Sequence, residues 1–211
     1  MTEPTREPSR ADLLRDEVGK RVWRLQKAFL DPKNPGNAEA TATLARLRRC
    51  PPGEPGAEPR VWEITFADLP EKLRGRDLPS YYEQAIHACL VFYATHQQSN
   101  DVPVHKAGIR LGTAVQDLAR ERASGDQPDD SCIRRLHQVV LANDNPGRLH
   151  HLRGLITMMR SESQPISLDY ALLAVDLWRL FDPRENSDRV TARWGRDLHN
   201  RPRTQTTGEP K

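Results

Sequence analysis

Residues 79–98 read PSYYEQAIHACLVFYATHQQ, and the period of their apolar side chains decides the fold class. Tyr82, Ile86, Cys89 and Tyr93 recur at the three-to-four-residue spacing of one helical face, and His96-Gln97-Gln98-Ser99 closes the run in polar residues. This stretch predicts the core helix of the first half of the chain. The same period extends toward the N-terminus. Ser9 and Asp12 form a capping-box-like pair, after which Leu14, Val18, Val22, Leu25 and Phe29 share a face until Asp31-Pro32 through Pro35-Gly36 ends it. A shorter helix from about Asn37 carries Leu44 and Leu47 and closes on Arg48-Arg49 before Cys50-Pro51-Pro52. Residues 50–60, rich in Pro, Gly and Glu, read as loop, and Val61-Trp62-Glu63-Ile64 is compatible with an extended segment or a single turn.

Toward the C-terminus, residues 99–112 form a loop, Ala114, Val115 and Leu118 resume helical spacing, and Ser124-Gly125-Asp126-Gln127-Pro128 breaks it. Three helix starts follow: Asp130/Ser131 before Ile133, Asn145-Pro146 before Leu149, and Ser167 before Leu168. Leu149, Leu152, Ile156 and Met159 share one face, and Leu168, Leu172 and Val175 with Trp178 and Phe181 another. The last helix, Ser187 to His199, presents Val190, Trp194 and Leu198. No alternating run is long enough for a strand. The expectation is an all-α, compact helical protein of two small lobes or bundles: a flexible N-terminus over 1–10, an N-terminal helical lobe over 11–122, a C-terminal helical bundle over 129–199 and a disordered tail over 200–211.

Composition narrows the function classes. Cys50, Cys89 and Cys132 are odd in number, far apart and in no C-x-x-C spacing, which points away from a disulfide framework or zinc site and toward a reducing cytoplasm. No stretch approaches the roughly 20 apolar residues of a membrane span, and the first 20 residues lack the apolar centre of a signal peptide. No membrane association is expected. The 32 basic residues nearly balance 29 acidic ones, for a formal net charge of +3. Of the basic residues 26 are Arg, whose planar fork suits bidentate phosphate contacts.

No constellation for catalysis stands out. The chain has no G-x-x-x-x-G-K-[ST] loop, G-x-G-x-x-G, G-x-S-x-G or H-E-x-x-H. His150 and His151, adjacent on a helix, diverge and suit one metal poorly, and carboxylates such as Asp117 and Glu121 alternate with Arg120 as solvated pairs do. The expectation is no catalytic residue, no metal and no cofactor.

The cations form local clusters. Arg48 and Arg49 end a helix, where the macrodipole also favours them. His105, Lys106 and Arg110 flank a glycine-punctuated loop that opens a helix, an arrangement able to offer backbone N–H groups and cations to a phosphate. Arg134, Arg135 and Arg148 lie near helix starts, where positive charge opposes the dipole, and Arg153 and Arg160 flank an apolar face. An anionic partner and an ordinary surface ion pair both account for each. Arg189, Arg193 and Arg196 share a face and could pair with Asp182, Glu185 or a neighbouring subunit. Trp23, Trp178 and Trp194 are expected in the core, leaving Trp62 open as a stacking surface.

Read in order, several short pieces resemble the CasB family, the small subunit of the type I-E CRISPR surveillance complex Cascade. They are Leu47-Arg48-Arg49, Gln84-Ala85-Ile86 leading to His96-Gln97, Gly108-Ile109-Arg110-Leu111-Gly112, Arg134-Arg135-Leu136, Leu152-Arg153-Gly154-Leu155-Ile156, Leu168-Asp169-Tyr170 and Val190-Thr191-Ala192-Arg193-Trp194-Gly195-Arg196-Asp197. The resemblance spans about residues 11–199. It implies a non-catalytic, cytoplasmic subunit that self-associates as a dimer, lies against the backbone and large subunits, and contacts guide RNA, target DNA and the displaced strand. The matching nucleic-acid-binding candidates are Arg48, Arg49, Arg110, Arg134, Arg135 and Arg153, with Lys106 and Arg148 added on local grounds. A rival from another class is a transcription regulator with a helix-turn-helix over Asp130 to Arg160, although its second helix offers few base-reading side chains besides Arg148 and His150.

Overall fold

The computed structural model describes residues 7–123 and 127–200. The helices, in order, are α1 (Arg10–Leu30), α2 (Asn37–Arg49), α3 (Trp62–Phe66), α4 (Tyr81–Gln97), α5 (Leu111–Glu121), α6 (Asp130–Leu141), α7 (Asn145–Ser161), α8 (Tyr170–Phe181) and α9 (Ser187–His199). No strand occurs among the described residues, where an isolated parallel bridge joins His105 to Leu168. The fold is all-α, as the periodicity predicts. The tail beyond Asn200, the first six residues and the start of the break at 124–126 lie outside the described residues.

Local chemistry sets the helix ends. Ser9 and Asp12 close the predicted capping box on α1, and Ser80 and Glu83 form a second one on α4, where Glu83 also accepts from the Gly75 N–H. Beyond the second cap every residue of α4 from Ala85 to Gln97 is buried. A helix with no polar face must be covered on all sides, and α1, α2, α3, α7 and α8 pack around it. The apolar cluster therefore runs without a break through residues before and after the 124–126 gap. Val61 to Ile64, left open by sequence, forms a tight turn over Pro59–Val61 leading into α3.

Two sequence expectations change here. Ser167 does not start α8: Leu168 is extended, its N–H donating to the Val104 carbonyl and its own carbonyl accepting from Lys106 N–H. The cap is Asp169, whose Oδ1 accepts from Ala171 and Leu172 while Oδ2 accepts from Gly108 N–H at 2.7 Å. One carboxylate thus fixes both the start of α8 and the glycine turn before α5, where Gly108 has φ +88°. The loop amides expected to face a phosphate are in part occupied by this internal pairing. The other change is Trp23, which is 55% exposed on α1 with the Lys27 ammonium 5.0 Å from its ring centre, while Trp178 and Trp194 are buried as expected.

The α4 core contains polar groups that must be held neutral. His87 Nε2 donates to the Pro51 carbonyl at 3.2 Å, and His96 Nδ1 lies 3.0 Å from the Tyr170 hydroxyl. Burial lowers His87 to about 4 and His96 to about 3, the latter helped by Arg160. The unfolded chain, with histidines near 6.5, therefore takes up protons first as pH falls, so this contribution to stability is full above about pH 6.5 and is lost toward pH 3–4. Unfolding free energies from urea titration should fall from pH 7 to pH 5, by up to about 1.4 kcal/mol per pH unit below 6.5 for each histidine. A flat profile over that interval would contradict neutral burial.

α5 and α9 meet closely at Gly112, where an added Cβ would sit 2.3 Å from the Trp194 carbonyl oxygen and 2.8 Å from Asp197 Cβ. Alanine gains up to about 1 kcal/mol of helix propensity, but the clash is with backbone and separates the helices. Gly112→Ala should lower unfolding free energy by about 1–3 kcal/mol in denaturant titration.

Candidate nucleic-acid interface

The cations that the fold brings together lie along the seam between α2 and α7. Arg48 and Arg49 end α2, and Arg153 of α7 reaches across so that its Nη2 donates to the Cys50 carbonyl at 3.1 Å. Two helical turns on, Arg160 shares that face and donates through Nη1 to Gln98 Oε1 at 2.7 Å. The Arg48 guanidinium is half-buried, and its pKa is lowered first by lost solvation and then by Arg49 and Arg160. None of these four arginines pairs with a carboxylate among the described residues. The α2 dipole partly offsets the charge at its own C-terminus, yet Arg48 stays within reach of the like charges of Arg49 and Arg160 with no carboxylate paired to it among the described residues. Arg160 is not among the sequence candidates, although its spacing of seven from Arg153 places both on one face.

The remaining candidates scatter. Arg135 lies across α7, where a Cβ on Gly154 would fall 2.7 Å from its Nη1 and 3.0 Å from its Cδ, so the glycine is the groove that seats it. Arg134, next in sequence, points elsewhere and is exposed. Both sit in the second turn of α6, past the orphan N–H groups, so the dipole conflict expected from sequence is small. Lys106 is exposed on the loop before α5, and Arg110 is the α5 N-cap residue.

Arg148 has a structural occupation. Its fork turns back onto the end of α6, donating to the carbonyls of Val139 (3.4 Å) and Ala142 (3.2 Å) and to Asn145 Oδ1 (2.9 Å). That is why a cation is found in the first turns of α7: it satisfies orphan carbonyls of the preceding helix. It also withdraws the side chain best suited to base reading from a helix-turn-helix over α6 and α7. His150 and His151 lie with ring centres 5.4 Å apart at 76°, and no group of three metal-ligating side chains is present among the described residues. No helix there is long and apolar enough to cross a membrane.

An all-helical body with an arginine seam and an enclosed central helix is the class that this geometry defines. The model of the CRISPR-associated protein Cse2 family matches residues 43–199. Among solved structures, CasB from Thermobifida fusca is 30% identical with a TM-score of 0.70, over 89% of this chain and 98% of that one. CasB from Thermus thermophilus shares the fold at 24% identity and a TM-score of 0.59, over 90% and 98% of the two chains. No curated protein sequence matches. The chain belongs to the Cse2/CasB family of CRISPR-associated proteins.

Replacing Arg148 by Ala removes donors from two carbonyls at the α6–α7 corner and should lower stability by about 1–3 kcal/mol. Arg148→Lys should recover only part of it, since one ammonium cannot span three acceptors; full recovery in thermal melts would show that the fork geometry is irrelevant.

Proposed function

We propose that this protein is the small subunit of a type I-E CRISPR Cascade complex, a cytoplasmic, non-catalytic component that grips nucleic-acid backbone. In that role it meets guide RNA, target DNA, the backbone and large subunits and a second copy of itself. The observation that carries the reading is the α2–α7 seam, where Arg48, Arg49, Arg153 and Arg160 gather without carboxylate partners among the described residues. A guide-directed complex reads sequence by base pairing and asks its protein for cations along the backbone and the displaced strand. Arg135, seated over Gly154 of α7, and Arg134, Lys106 and Arg110 add positive surface elsewhere, and Arg148 holds the corner on which Arg153 is mounted. Family membership supports the same reading. A sequence-reading helix-turn-helix is not favoured, because Arg148 is turned inward and leaves exposed His150 alone of the two base-reading side chains of α7.

The test is capture of target DNA by the assembled complex. Arg48→Gln/Arg49→Gln should leave folding and assembly intact while lowering affinity. It should also reduce the slope of log affinity against log salt by about 0.7–0.9 for each phosphate that is no longer neutralised. An unchanged affinity and slope in a folded, assembled double variant would remove the seam from the interface. Purification of the tagged protein from its host without short repeat-derived RNA and larger subunits would reject the Cascade role itself.

A further inference from the structure

A separate cationic pocket of about 180 Å³ opens between α1, the start of α5, α8 and α9. Its charged lining is Arg15, Arg110, Arg179 and Arg193 with Asp12 and Asp176, four positive charges against two negative. Both carboxylates are already engaged. Asp12 accepts from the Ser9 N–H and hydroxyl at the α1 cap. Asp176, 3% exposed at the pocket floor, accepts from Arg193 Nη2 and, at 2.7 Å, from the Trp194 indole N–H. Arg110 and Arg179 line the same pocket, and their positive charges act on Asp176.

Three features leave the guanidiniums of the pocket short of acceptors. Arg193 lines the pocket with Nη2 on Asp176, while its Nε, closed to solvent, has no hydrogen-bond partner, so the guanidinium is only partly satisfied. Among the described residues Arg110 forms no salt bridge with a carboxylate, and Arg179 has only the face of Trp178, 5.6 Å from its guanidinium carbon. Arg15 pairs loosely with Asp12 and Asp16 at 3.7 and 3.9 Å on exposed surface, contacts weak enough to exchange. A volume of about 180 Å³ is ample for one tetrahedral anion with solvent.

We infer that this pocket binds a single phosphate group, gripped by Arg110, Arg179 and Arg193 on a frame held by Asp176 and Trp194. Guanidinium forks converging from different helices match the oxygens of a phosphate better than those of a planar carboxylate or a spherical halide. The assignment stands on the pocket's own geometry and does not depend on the α2–α7 seam.

The Trp194 indole N–H sits directly beneath the anion through Asp176, so its resonance in the ¹H–¹⁵N spectrum of the full chain reports occupancy. Titration with inorganic phosphate should move it saturably, while chloride at matched ionic strength should not. Arg110→Gln and Arg179→Gln should each weaken the titration about ten-fold, and Arg179→Lys should fall between, retaining charge without the fork. The unliganded Trp194 resonance shows in each variant that the Asp176 frame is intact. A short single-stranded oligonucleotide without terminal phosphates that moves the same resonance, with the same weakening in the variants, assigns the occupant to a backbone phosphodiester. A response to inorganic phosphate alone assigns it to a free or terminal phosphate. A resonance that does not move with phosphate, moves equally with chloride, or moves unchanged in Arg110→Gln and Arg179→Gln overturns the site.

Discussion

Everything in this fold is arranged around the burial of α4 on all sides. A helix whose thirteen consecutive residues Ala85–Gln97 are buried cannot be stabilised by one apolar stripe; it needs neighbours around its full circumference, and α1, α2, α3, α7 and α8 supply them. The cost is that polar side chains at His87, Thr95, His96 and Gln97 must each find a partner in a dry interior. Gln97 does so by donating to the carbonyls of Asn100 and Val102, which turns the chain out of α4, and His96 by meeting Tyr170 of α8. The polar requirements of the central helix thus determine how the loop after it and the helix opposite it are placed.

That dependence explains what is legible in the sequence. The amphipathic helices announce themselves because one face meets solvent: Leu14, Val18, Val22 and Leu25 of α1 and Val190, Trp194 and Leu198 of α9 are buried as their spacing predicts. Helix caps made within a few residues, such as Ser9 with Asp12, are equally local and equally readable. Asp169 is not, because its second oxygen serves Gly108, 61 residues earlier, and no window along the chain contains both. Trp23 misleads for a related reason. Its place beside the apolar stripe of α1 is a fact of sequence, but whether a neighbour covers that side is a fact of packing.

The candidate site is readable only in part, and the difference is one of what a guanidinium touches. Sequence marks Arg48, Arg49, Arg148 and Arg153 alike as cations near helix ends. Packing separates them: Arg148 closes the α6 carbonyls, Arg153 ties α7 to Cys50, and Arg48 is pressed toward Arg49 and Arg160. Arg193 meets neither of the partners that its spacing suggests, Asp182 or Glu185, because Asp182 is held by Arg184 and Asp176 lies across the α8–α9 contact. A side chain with a full set of main-chain acceptors is part of the frame, whereas one whose nearest charges share its sign is stabilised by an incoming anion. Net charge does not distinguish these cases, and a value of +3 conceals both.

The division of labour among arginines also bears on how such a surface tolerates change. A frame arginine loses main-chain hydrogen bonds when replaced, and those are internal, so salt affects them little. A seam arginine repels its neighbours in the free protein, so its removal relieves the unbound state while weakening the bound one. On the proposed function, stability and binding therefore move in opposite directions at Arg48 and Arg49, and together at Arg148 and Arg153, where the same residue holds the scaffold on which the positive surface is built. On the proposed function, a grip on backbone at the seam thus works against local stability there. The enclosed α4 core, which carries no such conflict, is the part of the molecule able to compensate for it.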